Sequence, residues 1–373
     1  MTMPDPALDT LIARVRAARA AKTALNICGG GTKVFYGEAP HGEPLDVRPL
    51  AGISSYEPTE LVVTVRAGTP LAELEAALAE QGQCLPFEPP RFGPAGTSAE
   101  TVPRGGTVGG MVAAGLAGPA RAAVGGVRDY VLGATLLNGR AEVLSFGGQV
   151  MKNVAGYDVS RLLAGSMGVL GVICEVSLKV LPTPVATTTL RFELDEAAAL
   201  KRLNTWGGQP LPVNASAWWE GTLVLRLSGA AAAVQSAVTK LGGEVVDPVL
   251  AAAFWTGLRD HTDEFFDGAT KAVAGGATLW RLSVAQTSPP MGLSGEMMIE
   301  WGGAQRWVVT TAPAATLREA AARAGGHATA FRGAKAAGAM APLSAPLARI
   351  HREMKTAFDP DRIFNPGRLY PGL

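Results

Sequence analysis

Ile27-Cys28-Gly29-Gly30-Gly31-Thr32-Lys33 decides the fold, because it joins a predicted strand over residues 24–28 directly to three glycines. Glycine has no Cβ, so the backbone can turn tightly there and approach a ligand closely. Successive N–H groups are then free to hold phosphate oxygens. The stretch therefore indicates a loop for a dinucleotide pyrophosphate, although a glycine run after a strand is also common in ordinary turns.

A second glycine cluster, Gly105-Gly106-Thr107-Val108-Gly109-Gly110, precedes a short apolar stretch that resembles a helix. It offers backbone donors and a helix N-terminus to the same kind of anion. Met111 and Val112 stand where a phosphate loop requires Lys and Ser or Thr, so an ATPase is not indicated. No GxGxxG motif follows either candidate strand, which argues against a Rossmann nicotinamide site.

Length and composition narrow the class of protein. The 373 residues predict two domains, or one large domain with an inserted module. Hydrophobic residues make up 47% and charged residues 17%, which is typical of a globular protein. The 33 Lys and Arg against 32 Asp and Glu give a net charge of +1, so nucleic acid is not an expected partner.

Residue types that often carry chemistry are scattered along the chain. The cysteines are Cys28, Cys84 and Cys174, and the histidines are His41, His261, His327 and His351. Their spacing indicates no disulfide framework, no iron-sulfur centre and no metal site. Ser166 lacks the leading glycine of a nucleophile elbow, which disfavours a hydrolase. We expect a cytoplasmic protein without an export signal or a transmembrane helix, with peripheral membrane contact at most.

The remaining pattern predicts an α+β chain. The first half carries an N-terminal helix with Leu8, Leu11, Ile12 and Val15 on one face, a strand over residues 61–65, a helix over residues 71–80, a hairpin around Asn138-Gly139 and a β-rich segment over residues 170–181. Thr69-Pro70 is expected to supply the cap residue and the first-turn proline of the second helix. Pro182-Thr183-Pro184 marks a boundary.

Beyond that boundary the order strand-helix-strand-strand-helix-strand over residues 188–246 predicts a ferredoxin-like sheet. Further strands are expected over residues 278–284, 296–300 and 306–310. A helix over residues 346–357 places Leu347, Ile350 and Met354 on one face. The sequence shows no internal repeat.

These motifs together resemble the FAD-binding (PCMH-type) fold of the vanillyl-alcohol oxidase class, and within it the family of glycolate oxidase E subunits. The resemblance covers nearly the whole chain and is strongest over residues 146–163. It rests on residues 27–33, 56–63, 85–90, 107–110, 147–158, 165–171 and 364–368.

The resemblance implies a two-subdomain FAD-binding domain over residues 1–182, a ferredoxin-like α+β cap domain over residues 183–340, and a tail over residues 341–373 that returns to the flavin. The cofactor-binding residues that it implies are Gly29, Gly30, Gly31, Thr32, Lys33, Thr107, Gly109, Gly110, Gly168, Gly171, Val172, Asn365 and Arg368. The glycine loops would hold the pyrophosphate, and Asn365 and Arg368 would lie near the isoalloxazine.

Two departures from the family shape the functional expectation. Thr32 and Lys33 follow the glycines where some members carry a flavin-linking histidine, so non-covalent FAD is expected. The histidine-rich cap motif of the D-type hydroxyacid dehydrogenases is missing, and no catalytic residue is nominated. The resemblance therefore implies an FAD-binding subunit of glycolate oxidase whose D-type partner oxidises glycolate to glyoxylate and whose iron-sulfur partner takes the electrons. A free-standing 2-hydroxyacid dehydrogenase and an assembly subunit with a vestigial flavin site remain as alternatives.

Overall fold

The computed structural model describes residues 5–93, 105–148 and 158–373. Its strands are β1 (Leu25–Cys28), β2 (Glu43–Asp46), β3 (Ile53–Glu57), β4 (Val62–Arg66), β5 (Gln83–Cys84), β6 (Val131–Leu137), β7 (Val143–Gly147), β8 (Val172–Lys179), β9 (Leu181–Pro182), β10 (Ala186–Glu193), β11 (Val213–Trp219), β12 (Thr222–Gly229), β13 (Glu244–Val245), β14 (Thr278–Ser283), β15 (Glu296–Glu300), β16 (Gln305–Thr310) and β17 (His327–Arg332). Its α-helices are α1 (Pro6–Ala21), α2 (Leu71–Glu80), α3 (Val108–Ala114), α4 (Arg121–Val124), α5 (Val127–Tyr130), α6 (Val159–Leu162), α7 (Glu196–Gly207), α8 (Ala231–Leu241), α9 (Pro248–Asp260), α10 (Glu264–Ala274), α11 (Ala314–Arg323) and α12 (Ala345–Phe358).

The first subdomain is small and consists of α1 packed on the parallel pair β1–β2. Asp5 caps α1 by accepting a hydrogen bond from the Leu8 amide, and a proline at the first helical position has no amide to satisfy. Leu11 and Val15 from the apolar stripe of α1 are buried against Leu25 of β1. The predicted N-terminal helix and the strand before the glycines are therefore confirmed.

The second subdomain is an antiparallel sheet in the order β3-β4-β8-β6-β7. The inner strand β4 is buried at four successive positions, as its run of β-branched residues predicts. Helices α2 and α3 share one apolar core with this sheet. The two subdomains and the following cap confirm the predicted fold class.

One local expectation about a helix cap was wrong. Thr69 does not cap α2, because Pro70 occupies the cap position and the Leu71 amide bonds to the Gly106 carbonyl instead. The Thr69 hydroxyl is used elsewhere, donating to the Arg66 carbonyl at 2.7 Å. The predicted hairpin around Asn138-Gly139 is confirmed as β6–β7, and the residue with a positive φ in its turn is Ala141, at 61°.

The cap begins with a ferredoxin-like unit, β10-α7-β11-β12-α8-β13, as predicted. Its strands are ordered β13-β10-β12-β11, so the first strand pairs with the third and fourth. Leu190, Leu223 and Leu225 are fully buried under α7 and α8. On β10 the buried Leu190 and Phe192 alternate with exposed Arg191 and Glu193, which fixes which face packs on the helices.

A second unit continues the same sheet. The strands expected around β14, β15 and β16 are confirmed, and β17 was missed. The two units meet where β11 lies beside β15. Counted outward from that pair, the strand order β15-β16-β14-β17 of the second unit repeats the order β11-β12-β10-β13 of the first. The units join through β11 and β15, with Ala217 opposite Glu300 and Trp218 opposite Ile299. The cap is therefore an eight-stranded sheet with a repeat that the sequence does not reveal.

The chain then returns to the first subdomain. After α12, Phe364 forms a parallel bridge with Leu25 of β1. On α12 the residues Leu347 and Ile350 are each 49% exposed, and from that apolar face only Met354 packs against the core of the second subdomain. Strand β1 is thus flanked by β2 and by the tail.

Polar contacts join the cap to the first half of the chain. Nη2 of Arg226 on β12 donates to both carboxylate oxygens of Glu88, at 2.7 and 2.8 Å. The Trp301 indole N–H donates to the Gly118 carbonyl at 3.1 Å. In the described ranges, no helix is long and apolar enough to cross a membrane.

Candidate functional site

The first glycine loop, residues 29–33, leaves the end of β1 and runs along the edge of a cleft. Gly31 has a φ of 70°, in the left-handed region that favours glycine, and an added Cβ there would meet no atom within 4 Å. We find no hydrogen bond from the backbone amides of residues 29–33 to any other described residue. Several unspent donors in one turn form a cradle suited to an anion.

The second glycine loop, residues 105–110, lies against the first. A Cβ on Gly30 would come within 3.1 Å of the Gly106 Cα, and a Cβ on Gly29 within 2.5 Å of the Thr107 Oγ1. Thr107 caps α3 by accepting a hydrogen bond from the Gly110 amide. The two loops therefore need glycine for their mutual approach as well as for ligand access.

The turn before β8 and the tail form the opposite side of the cleft. Gly168 has a φ of 74°, and a Cβ there would lie 2.6 Å from Asn365 Nδ2. Buried Asn365 accepts a hydrogen bond from the Ile27 amide and donates one to the Met167 carbonyl, both at 2.7 Å. Its amide is thus used to hold strand β1 and the turn together.

Arg368, unlike Asn365, has a polar atom at the cleft that the described part of the protein leaves without a partner. Its Nη2 donates to the Val34 carbonyl at 2.9 Å, which fixes the chain just after the first glycine loop. Its buried Nη1 has no hydrogen-bond partner among the described residues. Burial lowers the pKa of Arg368. A buried cationic donor without a partner is costly, and an anionic ligand in the cleft would satisfy it.

Lys33 is the second cation at the cleft. Burial lowers the pKa of its ammonium to about 8, and Asp260 opposes that shift only in part. Its Nζ lies 3.4 Å from Thr32 Oγ1 and 5.7 Å from the centre of the Phe92 ring. No carboxylate within ion-pairing distance is recorded for it in the described part of the chain. Lys33 and Arg368 therefore leave positive charge uncompensated at the cleft.

These elements enclose one cavity, the central cavity, with about 1050 Å³ of empty space including its mouth. The sequence-predicted residues that line it are Gly29, Gly30, Gly31, Thr32, Lys33, Thr107, Gly109, Gly110, Gly168, Gly171, Asn365 and Arg368. Val172 does not line it, because its side chain is fully buried beside β6.

Several lining residues were not predicted from the sequence. They are Asn26, Ile27, Cys28, Val34, Tyr36, Pro40, Val47, Ala67, Gly106, Ala113, Ala114, Met167 and Ile173. Most are apolar or aromatic residues that sequence patterns assign to the core. Ile27, Cys28, Gly106 and Met167 stand inside the quoted motifs over residues 27–33, 105–110 and 165–171, and that was the one signal available. These unpredicted lining residues make the cavity wall mostly apolar around a polar glycine floor.

Comparison with known proteins agrees with this geometry. Residues 7–147 match the family model described as an FAD binding domain. The chain is 46% identical over 365 residues to glycolate oxidase subunit GlcE of Escherichia coli, covering 98% of both chains. This chain belongs to the GlcE family of glycolate oxidase subunits.

More distant relatives match the flavin-side half. This GlcE-family chain is 29% identical to glycolate oxidase subunit GlcD of Bacillus subtilis over 46% of its own length and 35% of the relative's. It is 31% identical to a D-lactate dehydrogenase of Anaerostipes hadrus over 40% of its length and 29% of the relative's. A solved alkyldihydroxyacetonephosphate synthase shares the fold, with 14% identity and a TM-score of 0.65, over 96% of this chain and 74% of that one.

FAD is the cofactor of this GlcE-family chain, which is part of an FAD-dependent oxidoreductase and of a multi-subunit system. The central cavity fits that cofactor. Its glycine floor leaves room for a pyrophosphate, its free amides and the Arg368 Nη1 are unspent donors, and its wall is apolar enough for a ring system. The residue-by-residue assignment remains a prediction.

Some expectations are not addressed by the geometry. Most of the motif over residues 147–158, and half of the family-specific stretch over residues 146–163, lies outside the described residues, which exclude 149–157. Across the described ranges, no group of three His, Cys, Asp or Glu residues is arranged to hold a metal ion. His351 is half-buried, with its ring edge against Tyr370 at 5.5 Å.

Proposed function

We propose that this chain is the FAD-holding subunit of a glycolate oxidase, which oxidises glycolate to glyoxylate. The observation that carries the proposal is the meeting of two glycine loops, the turn at Gly168 and the tail at Arg368 around one cavity. End-to-end similarity to a GlcE subunit supports it. When bound, FAD would supply a ring system that can take up and pass on electrons.

The chain's own residues would divide the work of binding. We assign the pyrophosphate to the free amides of residues 29–33, with protonated Lys33 as its nearest cation. The second glycine loop, through Thr107, Gly109 and Gly110, borders the same anion. Gly168, Gly171 and Val172 would supply backbone beside the adenine side, and Arg368 would direct Nη1 towards the ring end.

The same proposal fixes the domain limits. Residues 1–182 would form the FAD-binding domain, residues 183–340 the cap and residues 341–373 the returning tail. The strand pair β5–β9, which joins Cys84 to Leu181, supports the first limit because it closes the second subdomain. The bridge between Phe364 and Leu25 supports the return of the tail.

We propose that two partner subunits complete the reaction. A D-type FAD subunit would carry the base that takes the glycolate hydroxyl proton, since none is nominated here. An iron-sulfur subunit would take the electrons onward. The separation of Cys28, Cys84 and Cys174 supports placing the iron-sulfur centre on another chain. We place the complex in the cytoplasm or at the inner face of the cell membrane.

An absorption spectrum of the full chain purified alone, followed by anaerobic addition of glycolate, tests the proposal. We expect a flavin spectrum that glycolate does not bleach, because the base lies on the partner. Precipitation with acid should release all the flavin into the supernatant, as expected for non-covalent FAD.

Two results would contradict the proposal. Rapid bleaching by glycolate would make the chain a free-standing 2-hydroxyacid dehydrogenase. A colourless protein that takes up no added FAD would make it an assembly subunit with a vestigial site. The exposed-residue variant Arg128→Gln serves as the control for purification, because Arg128 is exposed and has no ion pair in the described part of the chain.

A further inference from the structure

A second cavity, here called the Arg332 cavity, lies next to the central cavity. It holds about 1130 Å³ of empty space including its mouth and is formed by residues 34–40, the end of β17 and α10. Val34 and Pro40 line both cavities, so the segment between them separates the two. The described lining contains three charged residues, which are Glu38, Arg332 and Lys335.

Arg332 is placed by aromatic rings rather than by a carboxylate. Its guanidinium carbon lies 3.5 Å from the centre of the Phe35 ring and 5.4 Å from that of Phe92. We find no hydrogen bond or ion pair from its guanidinium to another described residue. Burial lowers the pKa of Arg332 to about 10. A guanidinium stacked on a ring keeps its in-plane N–H groups available for an anion.

Lys335 and Glu38 complete the charge of the cavity. The Lys335 ammonium donates to the Phe35 carbonyl and, at 2.6 Å, to the Gly37 carbonyl, which leaves one of its three donors free. Glu38 accepts a hydrogen bond from the Ala339 amide at 2.5 Å. Two cations and one carboxylate give the lining a net charge of +1, which one monovalent anion would balance.

We propose that the Arg332 cavity binds a small monocarboxylate anion, with the carboxylate paired to the edge of the Arg332 guanidinium and Lys335 as the second donor. A planar carboxylate matches two parallel N–H groups of arginine, whereas a phosphate dianion would overcompensate the charge. The identification of the natural monocarboxylate as glycolate rests on the proposed function. The presence of an anion site does not depend on it.

Titration calorimetry on the full chain loaded with FAD tests this proposal with three probes: glycolate, acetate and inorganic phosphate. We expect glycolate and acetate to bind and phosphate to bind at least about tenfold more weakly. Arg332→Gln should weaken acetate binding by about tenfold or more, because it removes a charged, partly desolvated donor pair. Arg332→Lys should recover only part of it, because a lysine lacks the planar fork. Arg128→Gln is the matched control and should bind as the wild type does.

Each outcome has a defined meaning. Unchanged acetate affinity in folded Arg332→Gln, or phosphate binding as tight as acetate binding, overturns the proposal. Flavin absorbance at the start of each titration reports FAD retention separately. A chain without flavin that still binds acetate through Arg332 would refute the proposed function and keep the anion site. A flavin-loaded chain that binds no carboxylate would refute the anion site and leave the proposed function standing. If Arg332→Gln does not fold, Lys335→Met serves instead and should also weaken acetate binding.

Discussion

The Lys355 Nζ lies 2.8 Å from Asp359 Oδ2, and both side chains are completely buried. The same ammonium donates to the carbonyls of Val169 and Phe364, each at 2.7 Å. Asp359 in turn accepts hydrogen bonds from the amides that begin the tail, including that of Phe364 at 2.8 Å. This pair therefore fastens α12 and the tail to the turn that precedes β8.

Removing one member of that pair should be costly. We expect Lys355→Met to lower the free energy of unfolding by about 3–5 kcal/mol, because it leaves the Asp359 carboxylate buried without its partner. Urea unfolding measures this. Arg349→Met breaks the exposed pair with Glu353 on the same helix and should cost less than about 1 kcal/mol. Equal losses in the two variants would refute the assignment.

The first glycine loop should not tolerate a side chain. Gly30→Val places its Cβ within 3.1 Å of Gly106 Cα and its methyl groups at the cavity floor, so we expect loss of bound FAD. Gly207→Val, at a position where an added Cβ meets nothing within 4 Å, is the control and should keep the flavin. Flavin absorbance per protein, with unfolding measured in parallel, checks this. Full flavin occupancy in a folded Gly30→Val protein would contradict the loop assignment.

FAD affinity should depend on pH through Lys33. Burial lowers the pKa of Lys33 to about 8, so the FAD-free protein loses this proton as the pH rises through 8. A phosphate beside the ammonium favours the protonated form, so affinity should be constant below pH 8 and fall above it. Lys33→Gln should bind more weakly at pH 7 and lose this slope.

Dissociation constants for FAD between pH 6.5 and pH 9.5, followed by flavin fluorescence, test the Lys33 assignment; this window spans roughly 1.5 units on either side of the expected pKa. Lys335 also has a pKa lowered to about 8 by burial, but it lines the Arg332 cavity. Lys335→Gln is therefore the control, and it should keep the slope. A slope that disappears in Lys335→Gln and persists in Lys33→Gln would reverse our assignment.

Glu300 should destabilise the cap at high pH. Burial raises the pKa of its carboxyl to about 7, although Trp307 and Gln305 donate hydrogen bonds to it at 2.6 and 2.9 Å. A raised pKa in the folded state means that stability is lost as the pH rises from about 4.5 through 7. We expect Glu300→Gln to be more stable than the wild type at pH 8 by about 1–3 kcal/mol.

The Glu300 difference should vanish near pH 4, where the carboxyl is mostly protonated in both the folded and the unfolded states. Chemical unfolding at both pH values measures it. Glu319→Gln changes an exposed carboxylate on α11 and should leave stability unchanged within about 0.5 kcal/mol at either pH. A destabilised Glu300→Gln protein at pH 8 would show that the ionised carboxylate is the favoured form.

Sequence patterns predicted the elements of this protein well where local chemistry dominates. Helix α2 was predicted to the residue, because Gly82 ends an apolar stripe that begins after Pro70. The first ferredoxin-like unit was also predicted correctly. Strand β17 was missed, because its alanines and polar residues carry no β-branched signature apart from Thr329, and its pairing with β14 supplies the stabilisation.

The glycines of the candidate site could be predicted from sequence motifs, whereas most of the apolar residues that line the cavity could not. Gly29 and Gly168 stand in motifs, whereas Tyr36 and Val47 enter the cavity through contacts between distant segments. The predicted role of Asn365 was near the flavin ring, but its amide is used by Ile27 and Met167. No spacing in a sequence reveals which polar group is already satisfied by backbone.

The hydrogen bond from the Ile27 amide to Asn365 joins residues 338 positions apart in the chain. During synthesis, the strand that carries the first glycine loop therefore emerges long before the residue that fastens it. Contacts of such long sequence separation form late and slow folding. We expect the growing chain to be unable to retain FAD until residue 368 has left the ribosome, because Asn365 and Arg368 hold the strand and the chain on either side of the first glycine loop.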